Sequence, residues 1–188
     1  MGLAVADTHV CSTDLGPGLP DFSLMMHILE NHDNVGAAVD YLRLVPRLGR
    51  NNLILADARG HLAVFEIGHC RYGLFETQDG ILVSTNHFVS PGLRDCFVDT
   101  TPPLKRGNSL YRYERVTREL NAASGHIDVP FARRLMATHG DPLTSICRHQ
   151  LEDIDSATIS ASIFLPMRRT MLFCHGLPCQ GQYVDFAL

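Results

Sequence analysis

Residues Leu53–Phe65 read LILADARGHLAVF, which is two apolar runs on either side of a polar turn. Asp57-Ala-Arg-Gly60 separates the runs, and Asp and Gly are residues that tight turns favour. The stretch therefore predicts an antiparallel β-hairpin. Further short strands are predicted at Arg71–Phe75 and Ile81–Thr85.

Two helices are predicted before this hairpin. The first covers Phe22–Asn31, and the second follows Asn34, which can cap it, and ends at Pro46. Apolar residues in both recur at the i, i+3, i+4 and i+7 spacing of a helix face. The predicted buried faces are Phe22, Met25, Met26 and Leu29 in the first helix and Val35, Ala38, Val39 and Leu42 in the second.

The same patterns return in the second half of the chain. Helices are predicted over Ser109–Leu120 and Pro130–Thr138, and strands over Ala157–Leu165, Thr170–Cys174 and Gln182–Phe186. Blocks of helices and strands therefore alternate, which favours an α+β fold with helices layered outside antiparallel sheets. No linker divides the chain, so we expect a single domain over residues 1–188.

Composition excludes several classes of protein. The chain has 188 residues, of which 45% are hydrophobic and 19% charged, as in globular domains. Its net charge of -4 gives no electrostatic reason to expect nucleic acid or an anionic membrane as a partner. No apolar run approaches the roughly 20 residues that cross a bilayer. The six scattered cysteines predict reduced thiols and a cytoplasmic location.

Metal binding is not expected from the spacing of Cys and His. His69-Cys70 and Cys174-His175 with Cys179 bring ligand types together along the chain, but the paired Cys-x2-Cys spacing of structural zinc sites is absent. Cys147 is expected to pack as a small hydrophobic residue. No cofactor is expected either.

A first polar island, Thr85-Asn86-His87, follows the predicted strand Ile81–Thr85. An Asn amide at such a position can donate a hydrogen bond to a developing oxyanion, although Asn is also a common turn former. His87 is a candidate base or substrate contact, and the alternative is a packing or hydrogen-bonding role.

A second island, Ser145-Ile-Cys-Arg148, lies downstream. Arg148 could bind a substrate carboxylate through its bidentate fork, or it could pair with a buried acid such as Glu66 or Asp57. Ser145 could position a reacting group, or its hydroxyl could satisfy the backbone. The sequence leaves both pairs of alternatives open.

Four blocks of residues occur in the order of one enzyme family. The blocks are Gly2–Val5 with Gly18–Pro20; Asn51–Asp57 with Gly60 and Glu66; Thr85–His87; and Ser145–Arg148 with Thr158. Together they resemble the C-terminal part of the penicillin acyltransferase (acyl-CoA:6-aminopenicillanate acyltransferase) family of cysteine N-terminal-nucleophile (Ntn) hydrolases. The resemblance covers nearly the whole chain.

The resemblance implies an αββα sandwich, with two antiparallel sheets between helical layers, here incomplete at the N-terminus. It also implies autocatalytic cleavage before a cysteine, whose thiol attacks an acyl carbonyl while its own α-amine, with a pKa of about 8, accepts the proton. The implied partner is a small acylated substrate, possibly an acyl-CoA. By motif match Asn86 would help form the oxyanion hole, and His87, Ser145 and Arg148 would bind substrate.

The chain departs from this family at the nucleophile. The family's cleaved Gly-Cys bond lies before residue 1, and Cys11 is not expected to replace it because the residues before it would have to be removed to free its amine. Whether the chain is an enzyme therefore stays open. One hypothesis is an Ntn-type amidohydrolase or acyltransferase that needs an N-terminal partner segment. The other is a catalytically silent, truncated homologue that self-associates through an uncovered sheet.

Overall fold

The computed structural model describes residues 2–101, 107–141, 145–150 and 157–187. These residues form two compact units. The first unit contains the described residues up to 101 together with 166–168, and the second contains the remainder. The expectation of one domain over 1–188 stays a prediction.

The first unit is built on a four-stranded antiparallel sheet in the order β1-β2-β3-β4. The strands are β1 (Leu3–Thr8), β2 (Asn52–Asp57), β3 (Leu62–Ile67) and β4 (Tyr72–Thr77). The predicted hairpin is confirmed as β2 and β3, with Leu55 opposite Ala63. Asp57 holds its turn, because its carboxylate accepts hydrogen bonds from the amides of Arg59 at 2.9 Å and His61 at 3.1 Å.

Helix α2 (Val35–Leu44) matches its predicted face and cap. The side chain of Asn34 accepts a hydrogen bond from the amide of Ala37 at 2.9 Å, and so satisfies one of the free N–H groups of the first turn. The buried residues of the helix are Val35, Ala38, Val39 and Leu42, as the spacing predicts.

Helix α1 (Asp21–Asn31) is confirmed, but the prediction of its buried face is wrong at three of its four residues, since only Met25 of the four packs against the apolar core. Leu24 and Ile28 are fully buried, whereas Phe22, Met26 and Leu29 are 62%, 56% and 46% exposed. The helix carries apolar residues on both candidate faces, so its spacing alone does not fix its rotation. Packing selects the narrower face, where Leu24 and Ile28 join the apolar core.

The predicted strand Ile81–Thr85 is also wrong, because this segment has no strand structure. At its last residue, side chains bind the backbone acceptor instead. The carbonyl oxygen of Thr85 accepts from the Thr8 hydroxyl at 2.9 Å and from the Asn52 amide at 3.2 Å.

The core of the first unit lies between its two helices and its sheet. Fully buried apolar residues of α1, α2, β2 and β3 form one continuous cluster. A second cluster follows β1 and includes Val10, Phe88, Leu93 and Cys96. A 3-10 turn at Arg94–Cys96 belongs to this region.

The second unit has a three-stranded antiparallel sheet in the order β5-β6-β7 and two helices. The elements are α3 (Asn108–Ala122), α4 (Val129–Met136), β5 (Ser160–Leu165), β6 (Thr170–His175) and β7 (Tyr183–Ala187). Each corresponds to a predicted element. A 3-10 turn at Pro166–Arg168 follows β5.

The mixed α and β character and the antiparallel sheets are therefore confirmed. The layered αββα sandwich and its incompleteness at the N-terminus stay predictions. None of the helices within the described ranges has both the length and the apolar character needed to cross a bilayer.

Candidate functional site

The loop that carries the first polar island is tied to the sheet by one buried side chain. Asn52, at the start of β2, is 1% exposed. Its Nδ2 donates to Ser84 Oγ at 3.1 Å, to the carbonyl oxygen of Thr85 at 3.2 Å and to that of His87 at 3.0 Å. One amide group therefore fixes the backbone on both sides of Asn86.

Asn86 points its side-chain amide at the segment that follows β1. Its Nδ2 donates a 2.9 Å hydrogen bond to the carbonyl oxygen of His9. This contact gives the amide a fixed direction, and a fixed N–H donor is what an oxyanion hole requires.

His87 lies in the interior of the first unit. Its side chain is 7% exposed, and Nδ1 lies 3.1 Å from the hydroxyl of Thr85. This contact holds the imidazole against its own loop.

His9 is placed between a thiol and an amide. Its Nε2 lies 3.3 Å from Cys11 Sγ, and its Nδ1 lies 3.1 Å from Asn51 Oδ1. The amide of Val10 donates to the same Asn51 atom at 3.3 Å, so that atom is the oxygen and can only accept. Nδ1 of the neutral ring must therefore carry the proton, which leaves Nε2 as an acceptor facing the thiol.

Asn51 itself is held firmly in place. Its Nδ2 donates to Asp7 Oδ2 at 3.2 Å, and its φ of 70° lies in the left-handed region, which Asn tolerates better than most residues. The side chain is 4% exposed. Cys11, His9 and Asn51 thus have the order thiol, imidazole, orienting amide that activates cysteine nucleophiles.

Glu66 and Asp57 serve the backbone of the first unit. The carboxylate of Glu66 accepts from the amides of Val89 at 2.5 Å and Ser90 at 2.9 Å. Asp57 begins the turn, as predicted. Burial would raise the pKa of Asp57, but hydrogen bonds from the amides of Val35, Arg59 and His61 outweigh it and lower that pKa.

In the second unit, Arg148 and a second arginine, Arg112, donate hydrogen bonds to the same side-chain oxygen, that of Asn108. Arg112 Nε donates to Asn108 Oδ1 at 2.8 Å, and Arg148 donates to the same oxygen. Burial, together with the charge of Arg148, lowers the pKa of Arg112 to about 10. Both guanidinium groups remain cationic at neutral pH and concentrate positive charge at this point.

The backbone around Arg148 is fixed by another residue of the motif. The amide of Arg148 donates to the Thr158 hydroxyl at 2.9 Å, and the amide of Thr158 donates to the carbonyl oxygen of Arg148 at 2.9 Å. This reciprocal pair fixes the backbone at Arg148.

The Ser145 hydroxyl contacts the backbone of Gly140 and Asp141. It accepts from the amide of Gly140 at 2.9 Å and lies 3.1 Å from the carbonyl oxygen of Gly140 and 3.0 Å from that of Asp141. These contacts match the backbone-satisfying alternative for Ser145.

The described residues that could hold a metal form a group in the second unit. Ligand atoms of His139, Cys147, His149 and Cys179 all lie within 4.8 Å of one another. Of the Cys and His residues whose spacing was considered for zinc binding in the sequence, this group includes Cys179 alone. His69 instead contacts the carbonyl oxygen of Arg47 through Nδ1 at 2.7 Å.

Sequence reasoning missed His9, Asn51 and Arg112 as functional candidates. His9 and Cys11 are two residues apart, a spacing that places side chains on one face of an extended chain, so it offered a usable signal. The contacts of Asn51 depend on residues distant in the chain and left no such signal. Arg112 bonds to Asn108 one helical turn earlier, but its proximity to Arg148 is long-range and left no signal either.

One comparison with known proteins gives a match. The family described as acyl-coenzyme A:6-aminopenicillanic acid acyl-transferase matches residues 1–180. Among curated proteins, none matches the chain.

Proposed function

The chain belongs to the acyl-coenzyme A:6-aminopenicillanic acid acyltransferase family, and from this premise we propose that it takes part in acyl transfer through a cysteine acyl-enzyme. The donor would be a thioester such as an acyl-CoA, or the amide of a small acylated substrate. The six free thiols are consistent with an enzyme that acts in a reducing, cytoplasmic compartment.

The observation that carries this proposal is the fixed direction of the Asn86 amide. One N–H of this amide donates to the carbonyl oxygen of His9, two residues before Cys11, and this bond fixes the direction of the second N–H. We propose that Asn86 stabilises the negative oxygen that forms when a thiolate attacks the acyl carbonyl.

For the nucleophile, the family resemblance favours a cysteine at the start of a preceding segment, with its own α-amine as base. In that case this chain supplies the oxyanion donor and substrate contacts only. A silent homologue that self-associates is the non-enzymatic alternative.

A second candidate is Cys11, which the geometry around His9 favours. His9 Nε2 would take the thiol proton, and the thiolate would form a C–S bond to the acyl carbon. Collapse of the tetrahedral intermediate would expel the CoA thiolate, or an amine protonated by His9, and leave the acyl group on Cys11. This route needs no free α-amine, so no cleavage before Cys11 is required.

The paired arginines suit an anionic part of the substrate. Arg148 and Arg112 converge on Asn108, and two adjacent guanidinium groups can bind a carboxylate or phosphate through paired hydrogen bonds. For His87 and Ser145 the role in substrate binding remains a prediction.

The test is to incubate the purified chain with an acyl-CoA and measure both CoA release and the intact mass. If Cys11 is the nucleophile, an acyl adduct forms on Cys11, disappears in Cys11→Ser and persists in Cys70→Ser, whose thiol is exposed. If the nucleophile lies upstream, turnover requires a longer chain with an N-terminal cysteine.

Asn86→Ala should lower CoA release about 100- to 1000-fold in whichever form is active, as expected for a lost oxyanion donor. An unchanged rate would remove Asn86 from the mechanism. Absence of adduct and turnover in both forms would favour the silent homologue.

A further inference from the structure

Two imidazoles and two thiols from three separate stretches converge in the second unit. His139 lies shortly after α4, Cys147 and His149 flank Arg148, and Cys179 lies in the turn between β6 and β7. The four ligand atoms all lie within 4.8 Å of one another. Cys147 is 1% exposed, and His139 is the most accessible of the four.

Three of the six distances between these atoms are close to the edges of a tetrahedral zinc site, and the other three are no longer than 4.8 Å. With Zn–N bonds of about 2.0–2.1 Å and Zn–S bonds of about 2.3 Å, a tetrahedron has edges of roughly 3.3 Å between nitrogens, 3.8 Å between sulfurs and 3.5 Å between nitrogen and sulfur. The Nε2 atoms of His139 and His149 are 3.1 Å apart, and the Sγ atoms of Cys147 and Cys179 are 3.6 Å apart. Cys179 Sγ lies 3.3 Å from His149 Nε2. Each measured edge is within a few tenths of an ångström of its expected value.

Backbone contacts bring the ligand-bearing segments together. The carbonyl oxygen of Thr138 accepts from the amides of Ile146 at 3.2 Å and Cys147 at 3.0 Å, which joins the His139 and Cys147 segments. In the β6–β7 turn, the carbonyl oxygen of Leu177 accepts from the amide of Gly181 at 2.7 Å and so fixes the backbone around Cys179. The ring edges of His139 and His149 meet at 70°, with both Nε2 atoms turned inward.

We propose that His139, Cys147, His149 and Cys179 bind one zinc ion in a structural site. Two thiolates and two imidazoles suit zinc better than the oxygen-seeking calcium or magnesium. Four protein ligands leave no open coordination position, so the ion would stabilise the fold rather than activate water.

The second unit has a reason to need such a site. No residue of α4 is buried, and α3 buries only the polar Asn108. Protein units with small apolar cores often gain stability from a metal or a disulfide. A Cys147–Cys179 disulfide is the competing explanation for the two thiols, but it would leave the inward-facing imidazoles without a role. The proposal does not depend on the acyl-transfer function.

The test begins with the full chain purified under a phosphine reductant without added metal. Elemental analysis by mass spectrometry should find about one zinc per chain. Cobalt substituted for zinc should give the intense visible absorption of a tetrahedral site and a thiolate-to-cobalt charge-transfer band. Cys147→Ser and Cys179→Ser should lose both signals, whereas Cys70→Ser and His126→Gln should keep them.

A further variant addresses the risk that the thiol variants fail to fold. His139 is exposed, so His139→Gln should retain the circular dichroism spectrum of the wild type. Its zinc affinity should fall by more than the roughly 10- to 100-fold typical of losing an outer-shell partner, since a direct ligand is lost. Zinc that binds equally to wild type and His139→Gln, or cobalt that gives no tetrahedral spectrum, would overturn the proposal.

Discussion

The two units of this protein are stabilised by different means. In the first unit, helices and sheet enclose continuous clusters of apolar side chains. In the described part of the second unit, the buried apolar residues are Cys147, Ala161, Leu172, Cys174 and Pro178. Two of these five are cysteines, and one of the two is a proposed zinc ligand.

This difference shows that similar secondary structure can require different sources of stability. A helix on a sheet is stable when it buries an apolar face, as α2 does. Helix α4 buries no residue, so its position must depend more on polar contacts, its cap and ligand-bearing neighbours. Substitutions matched across the two units test this contrast.

The largest expected effect comes from the same substitution in each unit. Leu55 is fully buried within the main cluster, and Leu172 is 4% exposed on β6. Leu55→Ala should cost about 3–5 kcal/mol of unfolding free energy, because its neighbours cannot close the cavity. Leu172→Ala should cost less than about 2 kcal/mol, because fewer buried apolar groups surround it. Urea unfolding measures both, and equal losses would contradict the comparison.

A smaller effect is expected from a polar contact within the first unit. Asp57→Asn should cost about 1.5–3 kcal/mol, since three amides donate to the charged carboxylate. The pKa of Asp57 in the folded chain is lowered from 3.8, so its contribution is present above that pH and is lost as the pH falls through the folded pKa.

Wild type should therefore lose stability on acidification below about pH 4 more steeply than Asp57→Asn. Asp40→Asn provides the control, because the Asp40 carboxylate is 72% exposed and its ion pair with Arg43 is weak. Parallel acid profiles for wild type and Asp57→Asn would show that Asp57 does not contribute in this way.

The smallest effect distinguishes the caps of the two shorter helices. Asn34 caps α2, and Asp128 caps α4 by accepting from the amide of Phe131 at 2.8 Å. Removing either cap with Ala should cost about 1 kcal/mol of helix stability. Asn34→Ala should lower global stability, because α2 belongs to the core. Asp128→Ala should appear as faster amide exchange confined to α4.

Hydrogen exchange followed by mass spectrometry of peptides resolves the two outcomes. Faster exchange throughout the second unit in Asp128→Ala would mean that α4 is integrated into its unit as closely as α2 is into its own.

The sequence predicted those elements whose determinants are local. The face of α2, its Asn34 cap and the turn at Asp57 each depend on residues within a few positions of one another, and all three are confirmed. The face of α1 was wrong because tertiary packing selects Leu24 and Ile28 over a wider apolar stripe. The strand at Ile81–Thr85 was wrong, and at its last residue side chains from β1 and β2 bind the carbonyl oxygen of Thr85 in place of a neighbouring strand.

The candidate sites were less predictable because they combine residues distant in the chain. Asn86 could be singled out from its motif, but its partner His9 lies 77 positions away. The zinc ligands come from three stretches without a paired-cysteine spacing, so the expectation of no metal followed from the sequence alone. The four side chains come together only in the folded chain, once α4 and the β6–β7 turn have taken their positions.

The register of β1 bears on the order in which the first unit folds. Ala56 pairs with Leu62 across a short turn, whereas Leu3 pairs with Asp57 only after both helices have been spanned. Because short loops close at a lower entropic cost, we expect β2, β3 and β4 to assemble first and β1 to dock last. His9 and Cys11 follow β1 directly, so a nascent chain would keep its thiol apart from Asn51 and Asn86 until the sheet is complete. If Cys11 is the nucleophile, folding itself would then control when its thiol becomes reactive.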